Sequence, residues 1–126
     1  MKLLPDQADE ASLFRFGEEA VSLLEKKDFQ ALAERFGYAV AYDRDPKVAI
    51  ARDFQYCLDE FRASSARTPV PPSIVVKYFQ PNSGNLFALV ECVITANGCP
   101  ILAELIVTSS GAHKYITLED LSIAAV

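Results

Sequence analysis

Apolar residues recur at helical spacing in the first half of the chain and alternate in the second. Leu13, Phe16, Ala20 and Leu24 form one stripe, with Phe14 and Val21 beside it. Glu18, Glu19, Glu25, Lys26 and Lys27 stay off that stripe. This predicts a first helix capped by Asp6 or Asp9, where a carboxylate accepts backbone N–H groups that lack helical partners. Lys26 and Lys27 suit its negative C-terminal end. Asp28 then caps a second, short helix with Phe29, Leu32, Ala33 and Phe36 inward and Gly37 as its stop. "YAVAY" (38–42) alternates and reads as a short strand. Asp45-Pro46 is an N-cap followed by a first-turn proline, and Ile50, Phe54, Cys57, Leu58 and Phe61 continue as the stripe of a third helix over about 46–62.

"SSARTPVPPS" (64–73) is too rich in Ser and Pro to be regular and reads as a connection. The remainder is sheet: a strand over 74–80, the turn "PNSGN", strands over 86–96 and 99–108, a turn at "SSGAH", and a last strand over 114–123. In that last strand Glu119-Asp120 breaks the alternation and marks a bulge. Helices first and antiparallel strands afterwards define an α+β domain over residues 1–126. The expected architecture is three N-terminal helices packed on a curved antiparallel sheet of four to five strands, in the order α-α-β-α-β-β-β-β.

Asn97-Gly98 sets the register. Both central positions of a two-residue hairpin turn need positive φ, which Asn and Gly tolerate best. Counting outward from that turn places Glu91 directly opposite Glu104; a longer turn would shift the pairing. One face of the hairpin then carries Leu86, Ala88, Val90, Cys92 and Ile94 with Ile101, Ala103, Leu105 and Val107. The other carries Phe87, Leu89, Glu91, Val93 and Thr95 against Thr108, Ile106, Glu104, Leu102 and Pro100. Both faces are mostly apolar, so one should meet the helices and the other a partner. A homodimer through that sheet face is the expected assembly. The two glutamates either lie on an outer face, reached by water, Lys77, Lys114 or an Arg, or share a proton while lining a cavity. On an outer face both should titrate normally; in a cavity at least one should be raised.

Composition narrows the function classes. With 17 acidic and 12 basic side chains the net charge is −5, and no basic patch forms, which argues against nucleic-acid binding. A basic protein partner or a small apolar ligand fits better. No apolar run reaches the length of a membrane span, and "MKLLPDQADE" does not read as a signal peptide, so a cytoplasmic location is expected. Cys57, Cys92 and Cys99 show no metal-ligand spacing and read as reduced, partly buried thiols. His113 follows Gly-Ala in a turn and reads as a solvated turn residue. One histidine makes no multi-histidine metal site, and no nucleophile elbow, phosphate loop or dinucleotide fingerprint is present. Neither a metal nor a cofactor is expected.

Three stretches resemble the nuclear-transport-factor-2-like superfamily of cone-shaped domains, which includes ketosteroid isomerases, SnoaL-like cyclases and many non-catalytic members. "LLEKKDFQALAERF" (23–36) looks like its two-helix opening, "AVAYDRDP" (39–46) like its first strand ending in an acid and a proline, and "ILAELIVTSSGAHKYITLEDLSI" (101–123) like its closing hairpin. The resemblance covers nearly the whole chain and implies the cone fold. For an isomerase-type enzyme it implies Asp45 or Asp43 as general base and Glu104 as protonated oxyanion donor, with Glu91 beside it. Tyr56 and Asp53 on the third helix, with Glu104, are the candidate pocket residues. The family's tyrosine on the first helix corresponds here to Ala20, and that helix contains no tyrosine. The better-supported expectation is therefore a non-catalytic binding protein, of which bacterial toxin-immunity proteins are one kind. The alternative is a small-molecule enzyme or binder of the SnoaL or ketosteroid-isomerase type.

Overall fold

The computed structural model describes residues 1–64 and 70–124; residues 65–69 of the 64–73 connection expected above lie outside the described residues. Helix α1 spans Glu10–Glu25. Its cap is Asp9, which accepts from the Ser12 N–H at 3.3 Å. Helix α2, Phe29–Phe36, is capped by Asp28 and closed by Gly37 at φ 71°, a conformation that suits glycine. Helix α3, Pro46–Ala63, starts on Asp45, which accepts from Val48 N–H at 3.2 Å. The stripes read from the sequence face inward, with Leu13, Leu24, Leu32 and Ile50 fully buried. Phe14 lies off the stripe and is 40% exposed.

Residues 38–42 are not a strand, contrary to the alternation there. Ala39–Ala41 form a single 3-10 turn. The reason is tertiary. Arg44 donates to the carbonyls of Ala41 (3.1 Å) and Val40 (2.8 Å), which a strand would have offered to a neighbour. The same guanidinium grips Asp53 on α3, and buried Tyr38 donates its hydroxyl to Asp53 at 2.6 Å. This clip outweighs local β propensity.

The sheet has four strands: β1 Ser73–Tyr78, β2 Leu86–Ala96, β3 Cys99–Ser110 and β4 His113–Ile123. They are antiparallel in the order β1-β2-β3-β4. Asn97 (φ 51°) and Gly98 (φ 78°) make the two-residue turn, so Ala96 pairs with Cys99 and Glu91 with Glu104. The count from the turn holds as far as Ala88, and there a bulge intervenes: Ala88 pairs with Val107 but Leu86 with Thr108. The bulge exchanges the faces expected for two residues. Leu86 joins the row of Thr108, while Phe87 turns to the helix side, edge-on to Tyr78 at 5.5 Å. A second bulge falls at Glu119, as the broken alternation indicated: Leu105 pairs with Leu118, and Glu104 with Asp120. Both bulges bend the sheet and increase its twist.

The described helices cover one face of the sheet. Ala88, Val90, Cys92, Ile101, Ala103, Leu105, Val107, Ile116 and Leu118 meet them there, all fully buried. Gly17 permits the closest approach: a Cβ built on it would lie 2.8 Å from Ile74 Cγ2 and 3.0 Å from Val90 Cγ1. The first residues of the chain cover the start of the free edge of β4, with Ile116 N–H donating to Met1 O at 2.8 Å and Leu3 N–H to Lys114 O at 2.8 Å. An edge covered in this way is protected from pairing with another chain. Among the described residues no helix is long and apolar enough to cross a membrane.

Candidate functional site

The second face of the sheet is the candidate site. Side chains alternate along a strand, so the residues between the buried positions of β2 and β3 point away from the helices. They are Leu89, Glu91 and Val93 on β2 and Leu102, Glu104 and Ile106 on β3, with Val75 and Lys77 from β1. The described helices pack against the opposite face. Leu89, Leu102 and Ile106 remain partly exposed and Val75 is 43% exposed, whereas Val93 (8%) and Pro100, at the end of this face nearest the Asn97-Gly98 turn, are buried.

An acid row crosses this apolar surface. Glu91 pairs in register with Glu104, and Glu104 with Asp120, so three neighbouring strands each contribute a carboxylate at the same level. Lys77 binds Glu91 through its ammonium group. Lys114, the other lysine considered for the pair, instead sits over the Phe87 ring at 4.6 Å. Glu104 has no hydrogen-bond or ion-pair partner among the described residues. Its carboxyl is held above the usual range, first by partial burial, then by the charges of Asp120, Glu91 and Glu119, with Lys77 opposing. The outer-face location thus does not bring ordinary titration for Glu104. The neighbouring apolar side chains and the third acid supply what a closed cavity would have supplied.

The other sequence candidates fall in different places. Asp45 is occupied as the α3 cap and belongs to the helical layer, whereas Glu104 points to the opposite side of the sheet. Asp43 is exposed in the loop before it. Tyr56 is 66% exposed on α3, where the neighbouring Glu60 carboxylate raises its pKa. Asp53 accepts from Arg44 at 2.9 and 3.2 Å and from Tyr38. Burial alone would raise its pKa, but these bonds outweigh burial and hold it below the usual carboxylate value. Tyr56, Asp53 and Glu104 therefore do not converge on one pocket. A shallow groove of about 450 Å³ lies instead between the start of α2 and α3, rimmed by Lys27, Lys47 and Arg52 over Phe29. His113 begins β4 and is exposed.

Sequence reasoning brought Glu91 and Glu104 together and missed Asp120. The signal was the broken alternation at Glu119-Asp120, because a bulge there moves the register by one and sets Asp120 opposite Glu104. It also missed the Tyr38–Asp53–Arg44 clip, which depends on two segments meeting in space. No group of three or more His, Cys, Asp or Glu side chains among the described residues is arranged to hold a metal ion. Chemically, the row offers a half-buried carboxylate in apolar surroundings. That group can accept a charged donor or retain a proton. Comparison with protein-family models, with curated proteins and with solved structures returned no match to this chain.

Proposed function

We propose that this chain is a non-catalytic interaction protein that binds through the open face of its sheet. The observation that supports this is the distribution of apolar residues: the sheet is apolar on both sides, and the described helices cover only one. A contiguous uncovered apolar surface is the ordinary mark of a protein-binding face. A toxin-immunity role is one form of this reading, with the acidic face covering another protein's working surface. The homodimer expected from the apolar pattern is a second way to cover the same face. The nuclear-transport-factor-2-like resemblance agrees with the helices-then-sheet order but adds no residue to this argument.

A second reading keeps one specific support, the raised pKa of Glu104. In that reading the chain is a small-molecule enzyme or binder using Glu104 as acid or base on a substrate lying against the open face. Photo-cross-linking in the source cells separates the two. A benzophenone amino acid at Ile106 should yield discrete protein adducts, and the same group at Arg52 on the helical layer should not. Equal adducts from both positions, or none from Ile106, would overturn the interaction reading.

A further inference from the structure

Resting on the open face as the working surface, we propose that its occupant is a basic protein segment that places an arginine or lysine on Glu104. The charge on this face is unbalanced. Among the described residues Glu91, Glu104 and Asp120 stand in one register row with Glu119 beside it, and the one cation bound to that row, Lys77, is engaged by Glu91. Glu104 is the central member of the row, lies midway along β3, and has neither donor nor cation among the described residues. Its oxygens still reach solvent, since no buried side-chain oxygen lacks a partner among the described residues. An incoming cation can therefore bind it directly. Leu89, Leu102 and Ile106 around it would contact the apolar part of the same segment.

A cation on Glu104 removes the repulsion within the row and forms a charge-assisted hydrogen bond in partly dry surroundings. Arginine suits it best, because its planar fork can take both carboxylate oxygens and is more weakly hydrated than an ammonium group. A second copy fits poorly. A two-fold interface sets the same patch on both partners, so any overlap across the middle of the face would stack two acid rows, whose one bound cation among the described residues, Lys77, is already engaged by Glu91. The net charge of −5 acts in the same direction, repelling another copy and drawing in a basic partner.

The test is an amide NMR titration of the full ¹⁵N-labelled chain with three capped strand peptides, which alternate valine with arginine, with serine or with glutamate. The valine–arginine peptide should shift resonances of Leu89, Leu102, Glu104 and Ile106, and should weaken as salt rises from about 50 to about 500 mM. Glu104→Gln should weaken it about tenfold or more, the worth of one charge-assisted bond. Glu18→Gln makes the same change in net charge on exposed α1 and should leave binding within about twofold. The amide spectra show directly that both variants are folded. Equal loss in both variants, or equal binding of the serine peptide, would overturn the basic-partner proposal. A dimer at neutral pH in sedimentation, with its contacts on these same amides, would also overturn it while leaving the open face as the working surface. If no peptide moves the face and the chain sediments as a monomer, the interaction reading fails with it.

Discussion

Glu91 and Glu104 are direct cross-strand partners, and among the described residues only Glu91 has a cation, the ammonium group of Lys77. Two chemically identical side chains in one register pair thus have different environments. Glu104 lies between Glu91 and Asp120, and both oppose its ionisation.

Glu104→Gln should stabilise the protein near neutral pH. Like charges directly opposite in a sheet cost roughly 0.2–1 kcal/mol, and the substitution removes that cost. The pH dependence follows from linkage. A carboxyl whose pKa is raised on folding binds more protons folded than unfolded, so its contribution falls as pH rises from its ordinary value through its folded value. The gain should be fully present above that window and absent below it. Urea denaturation of both proteins at several pH values measures it, and a gain that persisted into the acid range would point to packing instead.

Removing the carboxylate of Asp53 should cost more than any change in the acid row. Asp53 receives bonds from Tyr38 and Arg44 that fix the 3-10 turn to α3. Asp53→Ala leaves those donors half-buried and unsatisfied, at about 1–3 kcal/mol. The native pKa of Asp53 is lowered, so its contribution is present above the unfolded carboxylate value and lost as pH falls through the folded one. Wild type and variant should converge in stability in strong acid.

Gly17→Ala should destabilise, although alanine is the better helix former. The added methyl would sit 2.8 Å from Ile74 Cγ2 and 3.0 Å from Val90 Cγ1. Overpacking costs about 1–3 kcal/mol, against a helix gain of roughly 0.5–1. Thermal unfolding should show the net loss, and Ile74→Ala in the same chain should recover part of it.

Tyr42→Gly should stabilise, an unusual result for deleting an aromatic ring. Tyr42 is 84% exposed and has φ 55° and ψ −117°, a region that side chains disfavour. Relief of ~1–3 kcal/mol of strain exceeds the ~0.5–1 lost to glycine's freedom when unfolded. A fall in the urea midpoint would show that the ring makes a contact that outweighs the strain.

The thiols of Cys57 and Cys92 should resist alkylation in the folded protein. Burial pushes them up to about 11 and about 12, so little thiolate exists near neutrality. Mass spectrometry after iodoacetamide should show both modified only once urea is added; prompt labelling of the native chain would indicate local opening.

The sequence by itself determined whatever depends on near neighbours. Apolar spacing and caps located all three helices, because a helix buries one stripe and needs its first N–H groups satisfied. Asn97-Gly98 pointed to the pairing of Glu91 with Glu104, since a two-residue turn leaves one register, and the structure shows that turn. Glu119-Asp120 announced its bulge through broken alternation. The tertiary structure decided what depends on groups distant in sequence. Within residues 38–42 a 3-10 turn, Ala39–Ala41, replaced the expected strand because Arg44 and Tyr38 meet Asp53 on α3. Leu86 and Phe87 exchanged faces because the ladder shifts beside Thr108, which alternation does not reveal. Asp45 and Glu104, both acidic and both plausible partners in sequence, ended on opposite sides of the sheet: one caps a helix, the other alternates away from buried Ala103 and Leu105. Asp120 completed the acid row for the same kind of reason. Register along one hairpin is a local property, but the level at which a third strand joins it is set by the whole packed sheet.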